Sequence, residues 1–359
     1  MSVKYESIRG ERLTPDLVQR WREIQAADTS FQSPFLTPDW TQLVASIRTD
    51  VEVAVLEEAG EVVGFFPFQR TPWNKGRPVG GHMCDVQAVI ATSDAHWDAA
   101  DLVRACRLRA WDFHHVPASQ TQFAPHAAEC AEAISINLSD GFEGYEREKR
   151  GRGSQHLKKI GQMMRKAERA IGPMRVCVEN ENGNTLQQLM TWKSAQYRRS
   201  HAADVFAFPW IETLVRQTLT HTAPAFCGLL SALYYGETLA AAELGLRHGA
   251  VFHGWITAYN PDLRRYSPGS SLLMEIIRHL PTMGVTSSEL GKNNLQYKAL
   301  WGNATRPIIT GCVAVAPCAK LLCLGRRGAV QLSRSPWMAA PTRLAKRVVG
   351  PLRGWLRFA

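Results

Sequence analysis

Residues 249–299 read GAVFHGWITAYNPDLRRYSPGSSLLMEIIRHLPTMGVTSSELGKNNLQYKA, and their pattern decides the fold. An apolar run, 250–259, predicts a buried strand. A polar loop follows at 260–268. Gly269, Ser270 and Ser271 then open a helical run, 272–283, which Gly284 stops. A second strand-like run, 285–290, leads into a loop that carries Tyr297 and Lys298. Strand, small-residue loop and helix in this order present the unpaired N–H groups of a helix N-terminus to an anion. Pro268 has no N–H to lose, and its fixed φ suits the first helical position. Gly269 lets a ligand approach the backbone. Arg264 and Arg265 stand just upstream as phosphate partners. The loop Arg264, Arg265, Tyr266, Ser267, Pro268, Gly269, Ser270, Ser271 therefore reads as a pyrophosphate cradle. The same residues also suit an ordinary turn and cap, so the rest of the chain has to decide between the two.

The chain has 359 residues, enough for two domains, and 45% hydrophobic residues with 11 Trp to fill their cores. No apolar run reaches 18 residues, and the N-terminus lacks an apolar signal core. The expectation is a cytoplasmic chain without a transmembrane helix. Eight Cys are scattered, with no CxxC and no His at zinc spacing, so free thiols and no metal are expected. His114-His115 has no third ligand and reads as loop or packing. The net charge of +10 is concentrated in residues 320–359, which hold nine Lys/Arg and no Asp/Glu. A nearly neutral body argues against DNA as a partner.

Along the chain, 15–27 has apolar residues at helical spacing. Thr37-Pro38-Asp39 is a helix start, with Thr37 as N-cap and Pro38 at N1. Strand formers on both sides of Glu58-Ala59-Gly60-Glu61 read as a hairpin. Short strands are expected at 85–91 and 133–138, with a helix, 95–108, between them. Residues 146–170 are basic and helical in pattern and mark the domain junction. A strand at 174–179 and helices at 184–200 and 209–219 follow. Three strands then turn first at Tyr235-Gly236-Glu237. A weak internal repeat appears here. Gly60–Pro67 parallels Gly236–Glu243, which suggests two copies of one α/β unit. Only the second copy has the loop 266–271, so the second half is expected to hold the cofactor.

The segments GETLAAAELGLR, FHGWITAYNPDLRRYSPGSSLL and ELGKNNLQYKALWGN, with the opening SPFLTPDW, resemble the CelD-like branch of the GNAT acyltransferases. That branch is associated with bacterial cellulose and exopolysaccharide biosynthesis. The resemblance covers about residues 30–315. It implies an α/β fold of two GNAT-like domains, mixed central sheets flanked by helices, similar to Fem-type transferases. The expected domains are 1–145 without a cofactor motif, 146–318 with the acyltransferase site, and 319–359 as a basic tail. It implies acyl-CoA as co-substrate and a sugar- or amine-bearing acceptor. GNAT loops usually read R/Q-x-x-G-x-G/A; here Arg265-Tyr266-Ser267-Pro268-Gly269-Ser270 departs from that pattern. Two alternatives stay open: a Fem-like aminoacyl-tRNA-dependent transferase, and a non-catalytic scaffold of polysaccharide machinery.

Acyl transfer from a thioester needs a base for the nucleophile, a donor for the oxyanion and a proton for the thiolate. Glu243 lies in an apolar strand, on one face with Ala241 and Gly245, where burial would raise its pKa and suit it to a base. A solvent-facing edge Glu is the other reading. His253 shares a face with Trp255, Thr257 and Tyr259; it is a second candidate base or a core histidine. Tyr259 and Tyr266 are candidate proton donors to the thiolate. Tyr297 and Lys298 are candidate substrate-binding residues. Gly254 marks either a splay between two strands or a bulge. In the tail, Leu344, Val348, Leu352 and Trp355 recur at helical spacing among Arg and Lys. That segment is read either as a helix on an anionic membrane surface or as a disordered basic tail.

Overall fold

The computed structural model describes residues 3–319, apart from 180, 181, 222, 224 and 293–295. The tail reading therefore lies outside the described residues from 320 onward. The chain divides into two compact units. One comprises Met1–Ala131, His201–Leu214 and the described residues from Pro307; the other comprises Glu132–Ser200 and Val215–Arg306. Residue 145, the expected end of the first domain, falls within the second unit.

The first unit contains β1 (Lys4–Arg9), α1 (Pro15–Ala27), α2 (Pro38–Ala45), β2 (Val51–Glu58), β3 (Glu61–Thr71), β4 (Lys75–Arg77), β5 (Ile90–Ala91), α3 (Ala99–Ala105) and β6 (Ala110–Pro117). Thr14 caps α1 by accepting from Leu17 N, and Pro15 opens it. Val18, Trp21 and Ile24 form its buried stripe. Trp21 stacks on Phe65 at 4.8 Å and donates to Leu36 O. Thr37 accepts from Trp40 N and Pro38 opens α2, as the sequence predicts. Phe66, Phe68, Trp111, Phe113 and Phe123 fill the core beneath the sheet.

The elements that follow are β7 (Ala127–Asn137), α4 (Gly141–Gly151), α5 (His156–Ile171), β8 (Met174–Cys177), α6 (Gly183–Arg199), α7 (Pro209–Thr220), β9 (Phe226–Tyr235), β10 (Thr238–His248), β11 (Val251–Tyr259), α8 (Pro268–His279), β12 (Ser287–Lys292) and α9 (Gln296–Trp301). β13 (Ala304–Ala314) then runs antiparallel to β6. In the second unit α8 packs on β9, β10 and β11 and against α5, and α6 packs on β10 and β11. Leu229, Leu233, Leu272, Ile276, Ile277 and Trp301 belong to its core.

Both units are mixed α/β with a mixed sheet flanked by helices. In the first, β1-β2-β3-β4 pair antiparallel and β6 returns parallel to β4 after α3. In the second, β8-β9-β10-β11 pair antiparallel and β12 returns parallel to β11 after α8. The repeat suspected from two hairpins is thus a repeat of strand order. No described helix is long and apolar enough to cross a membrane.

Several expectations are corrected. The basic stretch 146–170 is two helices, because Gly153 takes a left-handed φ of 75° between them. The strand expected at 85–91 is only Ile90–Ala91, and the helix expected at 95–108 is α3, which Asp98 starts four residues late. Of the two readings of His114-His115, loop or packing, the second holds: both lie in β6, and His114 stacks on His82 at 4.9 Å. Lys298 lies in α9, not in a loop.

Candidate active site

Strands β11 and β12 share three pairs: Val251↔Ser287, Phe252↔Ser288 and His253↔Glu289. Beyond these, β11 runs on to Tyr259 beside β10 and β12 to Lys292 beside β7, with no further pairing between β11 and β12 among the described residues. Two parallel strands that part in mid-course leave backbone N–H and C=O groups that need other partners.

The parting point is Gly254. A Cβ there would stand 3.0 Å from Glu243 Oε1 and 4.0 Å from Glu289 O. Glu243, on β10, is only 4% exposed. Its Oε2 accepts from Thr257 Oγ1 at 2.7 Å. Among the described residues nothing donates to its Oε1. Burial holds the Glu243 carboxyl above the usual carboxylate range, while the Thr257 hydroxyl, Lys193 and His253 pull it back down.

A bulge makes this arrangement. Gly245 pairs with Gly254 but Leu244 pairs with Ile256, so Trp255 is the extra residue. The extra residue shifts the side-chain alternation by one. Gly254 and Thr257, three apart, therefore address the same carboxylate. His253 precedes the bulge and neighbours Gly254, so alternation turns its side chain to the other face of the sheet, where it is fully buried. Unbroken alternation had put His253 and Thr257 on one face; the bulge separates them.

Lys193 completes the cluster. It is half-buried on α6, and its Nζ donates to Thr257 O at 3.1 Å. Burial pushes its pKa down, Glu243 raises it and Lys298 lowers it, so both charges are within electrostatic reach. Lys298 Nζ itself donates to Lys292 O at 3.1 Å. Sequence reasoning missed Lys193. Its signal was a cation continuing the apolar stripe Leu186, Leu189, Met190 of α6 at helical spacing.

The proposed cradle lies at the start of α8. A 3₁₀ turn, Pro261–Tyr266, precedes it, with Asn260 accepting from Asp262 N. Ser267 takes the left-handed conformation (φ 53°, ψ 49°) and gives α8 no side-chain cap. Ser271 N and Oγ both donate to Ser267 O. Helix geometry leaves the N–H groups of Gly269 and Ser270 without an intrahelical acceptor. Arg264 and Arg265 are exposed, and Arg265 lies over the ring of buried Tyr266 at 4.7 Å. Tyr259, 37% exposed, stands beside Gly269, whose Cβ would lie 3.4 Å from its ring. Tyr297 is 47% exposed on α9. The structure thus gathers Glu243, Gly254, Thr257 and Lys193 at one point and Tyr259, Gly269 and Ser270 at another.

The span that holds all of these residues has a known counterpart. Residues 154–299 match the acetyltransferase (GNAT) domain family. No curated protein sequence matches the chain. Among solved structures, FemX is similar at a TM-score of 0.57 and 9% identity, over 88% of this chain and 99% of that one. The C-terminal domain of a protein named as a lysylphosphatidylglycerol synthetase from Agrobacterium fabrum is similar at 0.52 and 15% identity, over 85% and 93%. A tandem GNAT protein of the clavulanic acid biosynthesis pathway gives 0.49 at 12% identity, over 88% and 99%. At such identities the likeness to the first two is one of fold alone. The match over residues 154–299 supports an acyltransferase as the enzyme class.

Proposed function

We propose that the second unit is an acyl-CoA-dependent N- or O-acyltransferase with Glu243 as general base. One observation carries this reading: a buried carboxylate with an unpartnered oxygen at the point where β11 and β12 part. A pantetheine arm between the strands would satisfy their backbone groups as an added strand does. The diphosphate at its far end would meet the N–H groups of Gly269 and Ser270, with Arg264 and Arg265 at the loop edge.

In this reading the acceptor amine or hydroxyl gives its proton to Glu243 Oε1 while its nitrogen or oxygen bonds to the thioester carbonyl carbon. The carbon–sulfur bond then breaks, and the proton returns from Glu243 to the departing thiolate. Lys193 fixes Thr257, and Thr257 occupies Oε2, so Oε1 is the oxygen left for the acceptor. Tyr259 stands on the diphosphate side beside Gly269 and serves donor binding. The acceptor is proposed to be a sugar- or amine-bearing intermediate of cell-envelope polysaccharide synthesis, on the family resemblance alone.

The test is calorimetric titration with acetyl-CoA and a medium-chain acyl-CoA. Saturable binding is expected, lost in Gly269→Asp and kept in Glu243→Gln. Acyl transfer by Glu243→Gln should fall by about 10²–10⁴-fold. A folded chain that binds no acyl-CoA would refute the proposal and favour the Fem-like aminoacyl-tRNA-dependent alternative.

A further inference from the structure

A cleft of about 510 Å³ lies in the second unit between α4, α5 and the C-terminal half of α8. Lys149 and Arg150 of α4, Lys158 and Arg165 of α5, and Arg278 of α8 line it, against a single acid, Glu146. Arg150 pairs with Glu146 at 3.3 Å, and Arg278 pairs with Glu275 and lies over Phe142 at 4.8 Å. Lys149 is 7% exposed, and its Nζ donates to a neutral acceptor, Gly302 O, at 3.0 Å. Among the described residues no acid pairs with Lys158 or Arg165.

Burial pushes His156, at the start of α5, down, and Lys149 of the cleft pushes it further. A second observation is independent of charge. Gly161 sits in the middle of α5 and faces the cleft, where a Cβ would meet only Arg165 Nη1, at 3.6 Å. Glycine in a helix interior costs roughly 1 kcal/mol against alanine. Here its effect is room: Lys158, Gly161 and Arg165 form one stripe, with the glycine as the floor between two cations.

We propose that this cleft binds a soluble, nucleotide-sized ligand through a diphosphate group, with Arg165 and Lys158 as its principal partners and Gly161 as the floor of the site. Guanidinium and ammonium groups converging from separate elements suit the several oxygens of a diphosphate. The site is distinct from the cradle, since Arg278 lies nine residues beyond Gly269, roughly 14 Å along α8. It does not depend on the acyltransferase reading.

The test is calorimetry of the full chain with pyrophosphate and with ADP, in the native protein and in Gly269→Asp. Saturable one-to-one binding is expected in both, with the two ligands competing. K158A and R165A should each weaken it about tenfold. Gly161→Leu should weaken it similarly, although leucine favours the helix, so loss of folding would not explain the result. K159A/K166A, on another stripe of the same helix, should leave it within about twofold. Four results would overturn the proposal. One is no binding at about 1 mM ligand. Another is equal loss in K159A/K166A, which would make the face a diffuse polyanion surface. The third is binding that survives R165A but disappears in Gly269→Asp, which would place it at the cradle. The fourth is binding of a short RNA duplex that pyrophosphate does not displace.

Discussion

Gly254→Ala probes the site without removing any charged group. Gly254 is not in the left-handed region, so alanine accepts its backbone conformation. The obstacle is the carboxylate. The new Cβ would stand 3.0 Å from Glu243 Oε1, about 0.4 Å inside ordinary contact. Glu243 is buried and its Oε2 is held by Thr257, so it yields only by breaking that bond or moving a strand. Overpacking of this kind costs about 1–3 kcal/mol. Alanine's lower backbone entropy returns roughly 0.5–1 kcal/mol. The net expectation is a loss of about 1–2 kcal/mol. In a Glu243→Ala background the obstacle is gone, and Gly254→Ala should be neutral or slightly stabilising. A double-mutant cycle by calorimetry then gives a coupling of about 2 kcal/mol, or roughly 4–8 °C in the midpoint of the unit's transition. Equal costs in both backgrounds would show that the carboxylate does not lie over Gly254, and the reasoning about the splay would fail with it.

Ser267→Gly should raise stability, because a left-handed non-glycine residue costs about 1–2 kcal/mol; the urea midpoint measures it, and a loss would give the Ser267 side chain a role of its own. Thr257→Val keeps the shape but leaves Oε2 of Glu243 without its donor, and should cost about 1–3 kcal/mol by the same assay. Glu243 has a raised pKa in the folded chain, so its stabilising contribution is full below the usual carboxylate range and is lost as pH rises through the folded value. Glu243→Gln should therefore gain on the native chain across that window, and unfolding free energies that stay parallel with pH would contradict the burial argument. Removing the Lys193 ammonium (Lys193→Met) should move the acid limb of the transfer rate to higher pH, with Lys193→Arg restoring it.

The hairpins and the strand–helix–strand of residues 250–290 were legible because each is a local pattern: apolar runs, a glycine turn, and small residues before a periodic helix. α1 matched its expected bounds for the same reason. Glu243 was legible as an acid within an apolar strand. Lys193 was not singled out, because its meeting with Thr257 spans 64 residues. The phase error at His253 has one cause. A bulge inserts a residue without a composition signal beyond Gly254 itself, and every side chain past it changes face. Lys298 reads as a loop residue in the sequence because α9 is a six-residue helix, too short to show a period.

The two units share a strand order, yet the first has closed each feature that the second leaves open. In the repeat, Pro67 stands where the second unit has Glu243, so the position carries no titratable group. At the parallel joint of the first unit, Gly76 pairs with Trp111, and a Cβ on Gly76 would stand 2.9 Å from the Trp111 ring. Trp111 is 1% exposed and packs with Phe66, Phe113 and Phe123, so an aromatic core fills the place where the second unit's strands part. At the following helix, Asp98 Oδ1 accepts from Ala100 N and Asp101 N at 2.8 and 2.9 Å. A carboxylate thus already sits where an anion would dock, and it repels a second one. In the second unit Ser267 provides no such cap. Three independent positions, a buried carboxylate, a gap and a helix end, differ in the same direction. That asymmetry follows from side chains alone on a common backbone plan: the second unit keeps an open carboxylate oxygen, a gap and an uncapped helix end, and the first fills all three.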